Sequence, residues 1–127
     1  MGFDRLFSPI AIQGMELKNR IVMLPMSTGF TEPDNTTGDR FINFYTERAK
    51  GGAGLIVIPF TPMSDGAPIE PGLFDDRFLP GVSRLTSEIH SYGAKAAAQL
   101  IISYIVILHG GLPEIVGPSP VFNKILR

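Results

Sequence analysis

The chain has 127 residues, 44% of them apolar, which is enough for one modest core and too apolar for compositional disorder. Its 11 basic and 12 acidic residues nearly cancel and are spread along the chain, so the electrostatic footprint of a nucleic-acid or anionic-membrane binder is absent. With no cysteine, a disulfide framework, a thiolate metal site and a thiol nucleophile are excluded.

The opening segment, Met1 to Phe7, carries acidic Asp4 and no apolar run before Ser8-Pro9. It lacks the basic and apolar regions of a secretory signal, and a cytoplasmic location is expected. Pro9 to Ile12, a Gln13-Gly14 turn and Met15 to Lys18 predict a hairpin over about 9–18, the glycine suiting the tight reversal. Arg20 to Leu24 is a short β-branched run stopped by Pro25, as expected of a strand buried on both faces.

After a turn-rich loop from Ser27 to Gly38, Phe41, Ile42, Tyr45 and Ala49 recur at helical spacing. Thr37 or Asp39 is expected to cap the helix, and Gly51-Gly52 to end it in a left-handed turn. Leu55 to Ile58, ended by Pro59, predicts a second buried strand. A loop rich in Pro, Gly and Asp runs from Thr61 to Arg77. Val82, Leu85, Ile89 and Tyr92 then mark a second helix, with Pro80 near its first turn and Gly93 just past its end.

Lys95 to Leu100 supplies a third strand. Strand–helix–strand–helix–strand order with right-handed crossovers makes the strands parallel and the class α/β. The longest apolar stretch, Ala96 to Leu108, is interrupted by Gln99 and Ser103 and falls short of the roughly 20 residues of a membrane span. No membrane partner is expected, although Ile101 to Leu108 would promote association if exposed. Gly110 to Arg127, punctuated by Pro113, Pro118 and Pro120, reads as loop. The expected organisation is one partial domain over 1–127, with strand–helix repeats over about 20–108 and a C-terminal loop over 109–127.

Most motifs that could carry chemistry have a plainer reading. The glycines of Gly51-Gly52-Ala53-Gly54 follow a helix and open a strand, the reverse of a dinucleotide-binding loop, and so read as a helix end. His109-Gly110-Gly111 is similar to an esterase oxyanion loop, but the serine elbow that should accompany it is missing. His90, on a predicted helix, reads as a surface or packing residue, and no metal site is expected. Asp75-Asp76 sits just ahead of a helix start, where dipole and capping duty outweighs paired acid–base work. Glu47 and Arg48 read as solvated charge. No residue is assigned a catalytic role.

The sharper signal is positional, because parallel α/β sheets and barrels bind ligands at the C-terminal ends of their strands. Those ends carry Pro25-Met26-Ser27-Thr28, Pro59-Phe60-Thr61 and Gln99. Hydroxyls, an amide and backbone N–H groups there would suit a planar heteroaromatic cofactor with donors and acceptors along its edge. The expectation requires Met26, Phe60 and Gln99 to converge on one side of a partial sheet.

Leu6-Phe7-Ser8-Pro9-Ile10, followed by Leu17-Lys18-Asn19-Arg20-Ile21-Val22-Met23 and Pro25-Met26, resembles the opening of the Old Yellow Enzyme family. Tyr45-x-x-Arg48-Ala49-Lys50-Gly51-Gly52-Ala53-Gly54-Leu55-Ile56 and the stretch from Asp75 to Gly93 continue the likeness, which covers about residues 3 to 100. It looks closest to the NADH:flavin oxidoreductase, enoate reductase and 2,4-dienoyl-CoA reductase branch.

What the resemblance implies is the truncated N-terminal part of a TIM (β/α)8 barrel, with FMN at the mouth and NAD(P)H as electron donor. Hydride would pass through flavin N5 to or from the activated C=C bond of a small-molecule enone or enoyl substrate. It further implies that Pro25 and Met26 form the turn whose backbone lies against the flavin. Ser27 falls where a small residue modulates the O4 and N5 edge, and Gln99 matches the amide on the pyrimidine ring. Phe60 stands where relatives place a small residue close to the isoalloxazine.

After Gln99-Leu100 the family's histidine, glycine and arginine cluster is replaced by Ile101-Ile102-Ser103-Tyr104. Gly117-Pro118-Ser119-Pro120 resembles the segment before the fourth strand. A longer parent could add a 4Fe-4S cluster and FAD. Because a whole barrel takes about 250 residues and eight strands, the chain is expected to be inactive alone and to need a complementing C-terminal half. The alternative is a non-catalytic remnant or interaction module that self-associates through an open sheet edge.

Overall fold

The computed structural model describes residues 2–61 and 70–101. Strands β1 (Ile10–Ile12) and β2 (Met15–Leu17) form an antiparallel hairpin with Ile12 opposite Met15. Both turn residues, Gln13 (φ 47°) and Gly14 (φ 90°), have positive φ, the two-residue reversal whose twist matches the flanking strands. The second sheet has the order β3 (Val22–Met23), β4 (Leu55–Phe60) and β5 (Lys95–Leu100), all parallel.

Helix α1 (Asp39–Lys50) buries Phe41, Ile42, Tyr45 and Ala49, the residues whose spacing predicted it. Its start differs from expectation: Gly38 is the N-cap, with no side-chain cap. Its carbonyl accepts from the Ile42 N–H at 3.0 Å. Thr37 is therefore not a cap, and its buried Oγ1 has no hydrogen-bond partner. Asp39 lies in the first turn, where its charge favours the helix dipole.

At the other end Ala53 N–H donates to Arg48 O at 3.3 Å and Gly52 N–H to Ala49 O at 3.1 Å. This is the paired closure of a Schellman motif. Gly52, at φ 102°, supplies the left-handed residue it needs, whereas Gly51 remains right-handed at φ −65°.

Helix α2 (Leu79–Ser91) buries Leu85 and Ile89 and follows a 3-10 turn, Asp76–Phe78. Asp75 caps that turn by accepting from Arg77 N–H at 2.9 Å. Tyr92 is the C-cap rather than a residue of the helix and is exposed, and Gly93 (φ 70°) turns the chain just after it. His90, Glu47 and Arg48 are exposed.

The two helices pack on one face of the sheet and enclose a single core. Ile56, Ile58 and Phe60 of β4 reach it from below, and Phe41, Ile42, Tyr45, Leu85 and Ile89 from above. Full burial of each large apolar side chain is worth about 1.5–3 kcal/mol, so these residues dominate the stability of the unit.

β4 is buried along both faces, as its unbroken apolar run predicted. β3 is not: it pairs over two residues only, Val22 is 41% exposed and Leu24 is 69% exposed. The expectation of a strand buried on both faces fails because, among the described residues, β3 has a neighbour only at β4. Among the described residues β5 likewise has no partner on its far side, and it is mostly exposed.

Among the described residues no helix is long and apolar enough to cross a membrane, and no cluster of three or more His, Cys, Asp or Glu could hold a metal. The Ile102 to Leu108 run and the segment 109–127 lie outside the described residues.

Candidate functional site

Parallel pairing brings the C-terminal ends of β3, β4 and β5 to one edge of the sheet, so the Pro25–Ser27 turn, Pro59-Phe60 and Gln99-Leu100 lie at the same end. The turn is anchored from beneath. Tyr45, wholly buried on α1, donates its hydroxyl to the Met26 carbonyl at 3.3 Å. The Met26 side chain is 56% exposed, and Ser27 is exposed as well.

Register decides which side chains share a face. Gln99 pairs with Pro59, and Leu100 with Phe60. Partners in a parallel pair point the same way and successive residues alternate, so Gln99 and Phe60 lie on opposite faces. Phe60 is 2% exposed and belongs to the helix-side core. With Ile58, Val82 and Ala96 it lines a cavity of about 230 Å³ beneath α2. The expected convergence thus holds for the strand ends but not for the Phe60 side chain. Pro59, one residue earlier, is the partner of Gln99.

A residue without any functional reading in the sequence also lies at this end. Glu70 belongs to the segment that folds back over β4, where Thr61 N–H donates to Pro71 O and Leu73 N–H to Thr61 O, both at 2.9 Å. It is 4% exposed, and neither carboxylate oxygen has a hydrogen-bond partner. Burial pushes its pKa up to about 7, because desolvation penalises the charged form. The Ser27 hydroxyl is near enough to pull the other way, though without a hydrogen bond of proper geometry. Burial, and then the Glu70 charge, hold the Tyr45 phenol well above its usual range, so it keeps its proton. Nothing in the sequence marks Glu70, since an acid in a Pro- and Gly-rich loop reads as solvated charge.

A layer of helices over a parallel sheet, with a turn, an amide and a buried acid gathered at the C-terminal strand ends, defines one wall of a parallel α/β barrel. A profile of the NADH:flavin oxidoreductase / NADH oxidase family matches residues 5–119, and the chain belongs to that family, which includes the Old Yellow Enzymes. It is 42% identical over 124 residues to a metal reductase of Desulforamulus reducens, covering 94% of this chain and 18% of the relative.

Among solved structures, a 2-naphthoyl-CoA reductase complex superposes with a TM-score of 0.75 at 28% identity, over 80% of this chain and 16% of that one. An Old Yellow Enzyme homologue from Zymomonas mobilis gives a TM-score of 0.67 at 31% identity, over 75% and 27%. The fold is therefore the N-terminal portion of a TIM barrel. The chain spans about a fifth of the metal reductase's length.

Proposed function

We propose that this chain forms one wall of the FMN site in an NAD(P)H oxidoreductase of ene-reductase type, and that it does not turn over alone. The observation that carries the reading is the gathering of the Pro25–Ser27 turn, Pro59 and Gln99 at one end of a parallel sheet in a member of a flavin-dependent family.

The residues suit an isoalloxazine edge. Pro25 and Met26 offer a turn held from below by Tyr45. Ser27 and Gln99 offer an exposed hydroxyl and an exposed amide, and the Glu70 carboxyl lies buried beside Ser27 without a partner. Phe60 fits less well, because its side chain fills the core and only its backbone is left to face a ligand. When bound, FMN supplies the hydride chemistry; this chain's residues orient it. In a complete protein the acceptor would be an enone or enoyl compound, consistent with the 2-naphthoyl-CoA reductase likeness.

The sheet supports the incompleteness. A barrel of this kind closes with about eight strands, and the described residues supply three. Visible absorbance of the purified chain, with and without FMN, tests the reading. The expected result is no tight stoichiometric flavin on the chain alone. Flavin bands that bleach with NAD(P)H should follow once the strands completing the barrel in relatives are joined to it. Tight binding by the chain alone refutes the incompleteness, and a completed barrel that takes up no FMN refutes the flavin site.

The edge of β5, exposed and without a partner strand among the described residues, favours a second reading, an interaction module that associates through that edge. Light scattering that finds a folded monomer rules it out.

A further inference from the structure

We infer that Tyr45 is a positioning residue: its hydrogen bond to the Met26 carbonyl turns the following peptide so that the Ser27 backbone N–H faces the mouth on the side where Gln99 lies. The consequence for FMN rests on the function proposed above; the orientation of the peptide does not.

Peptide geometry carries the step. The described residues hold no cis peptide bond, so the Met26 carbonyl and the Ser27 N–H, which belong to one planar trans unit, point in opposite directions. The carbonyl accepts from the Tyr45 hydroxyl at 3.3 Å, and Tyr45 is wholly buried in the core that α1 and α2 form with β4. The N–H therefore points away from the helix layer. Among the described residues it has no hydrogen-bond partner, and Ser27 is exposed. Gln99 also faces away from the helices, because it pairs with Pro59 while the next residue of β4, Phe60, belongs to the core. A backbone donor and a side-chain amide thus share one side of the sheet end, which suits a ligand with acceptors along an edge.

The phenol is built to hold that peptide. Its ring packs against Phe41 and Phe44 at centroid distances of 4.9 and 5.1 Å, the second edge-on at 85°. Phe44 is in turn covered by the Arg48 guanidinium at 3.6 Å and meets Phe30 edge-on at 5.7 Å. Burial keeps the proton on the phenol, so the hydroxyl remains a donor. A hydrogen bond at the carbonyl also polarises the peptide and strengthens its N–H as a donor. Removing the hydroxyl should free the peptide to rotate and weaken the donor that it aims.

Nuclear magnetic resonance of the 127-residue chain labelled with 15N and 13C tests the orientation without flavin. In the wild type the Ser27 amide should be as rigid as the core, with an order parameter of about 0.85. Its proton should show no strong Overhauser contact to the Tyr45 ring, because it points the other way. In Tyr45→Phe, which keeps the ring and removes the hydroxyl, the Met26 carbonyl signal should move upfield and the Ser27 order parameter should fall toward about 0.6. Ile89→Val loosens the same core but leaves the phenol, so it should lower the urea midpoint with the Met26 and Ser27 signals unchanged. A wild-type Ser27 amide already below about 0.6, or one in strong Overhauser contact with the Tyr45 ring, overturns the inference even where Tyr45→Phe does not fold. So does a Ser27 amide unmoved in Tyr45→Phe, or moved as much in Ile89→Val.

In the barrel-completed protein, FMN affinity should fall about tenfold in Tyr45→Phe, the value of one hydrogen bond of ordinary strength, and stay unchanged in Ile89→Val. Equal affinity in the wild type and Tyr45→Phe also overturns the inference. If no variant of the completed protein binds FMN, the flavin reading fails instead, and the resonance data alone decide the role of Tyr45.

Discussion

Glu70 sets a stability profile opposite to that of most carboxylates. Its pKa rises from 4.5 unfolded to about 7 folded, so below the lower value both states hold the proton and nothing is lost. Between the two values the unfolded chain releases its proton while the folded chain retains it, and stability falls as pH rises. Above about pH 7 both states are ionised and the loss is complete. The interval corresponds to about 3 kcal/mol at most, a large fraction of the 5–15 kcal/mol that holds a typical domain.

Glu70→Gln keeps the shape and cannot ionise. It should match the wild type at the acid end of the window and exceed its stability by up to about 3 kcal/mol at the alkaline end. Urea unfolding followed by far-UV circular dichroism, at closely spaced pH across the window, gives the difference directly and cancels the other carboxylates. Parallel profiles for the two proteins would refute the burial argument. So would a wild type that gains stability relative to the variant as pH rises.

Gly54 packs against Asn19, whose amide donates to Gly52 O at 2.7 Å and whose Oδ1 accepts from Ile21 N–H at 3.0 Å; an added Cβ would lie 2.5 Å from Asn19 Oδ1 and 2.7 Å from the Asn19 carbonyl oxygen. Gly54→Ala should cost about 1–3 kcal/mol by overpacking, and adding Asn19→Ala should not rescue it, because the backbone oxygen remains; urea midpoints of the single and double variants check both points. Arg84 and Asp39 tie α2 to α1 at 2.6 Å, but both side chains are more than half exposed. Arg84→Ala should therefore cost less than about 1 kcal/mol, and less still in high salt, as read from thermal unfolding.

The elements whose pattern the sequence carries openly are those that fold as it predicts. Phe41, Ile42, Tyr45 and Ala49 mark the buried stripe of α1 because a helix with one face in water must alternate at its own period. β4 is different in kind. A strand buried on both faces has no polar residues to record its parity, so hydropathy cannot say whether Pro59 or Phe60 faces the mouth. Only the pairing of Gln99 with Pro59 does. The helix cap departs from the expectation for a local reason: Gly38 takes the cap position, and the Thr37 hydroxyl beside it is unpaired. Glu70 is illegible because its burial depends on how its loop packs, the next residue, Pro71, accepting from Thr61 N–H, and hydropathy carries no record of that.

The two sides of the candidate site differ in how firmly this chain holds them. At β3 the Met26 carbonyl is gripped by Tyr45, a residue of the central core, so the turn keeps its place as long as α1 stays packed. At β5 the situation is reversed: Gln99 is exposed, the strand has a neighbour on one side only among the described residues, and Leu100 is 58% exposed. An amide there retains its rotamer freedom until something covers the strand, and fixing it on binding costs up to about 1.5 kcal/mol. Neighbouring strands would remove that cost before a ligand arrives. Pre-organisation on one side and its absence on the other is the physical reason for expecting weak flavin binding by the chain alone and tight binding in a closed barrel.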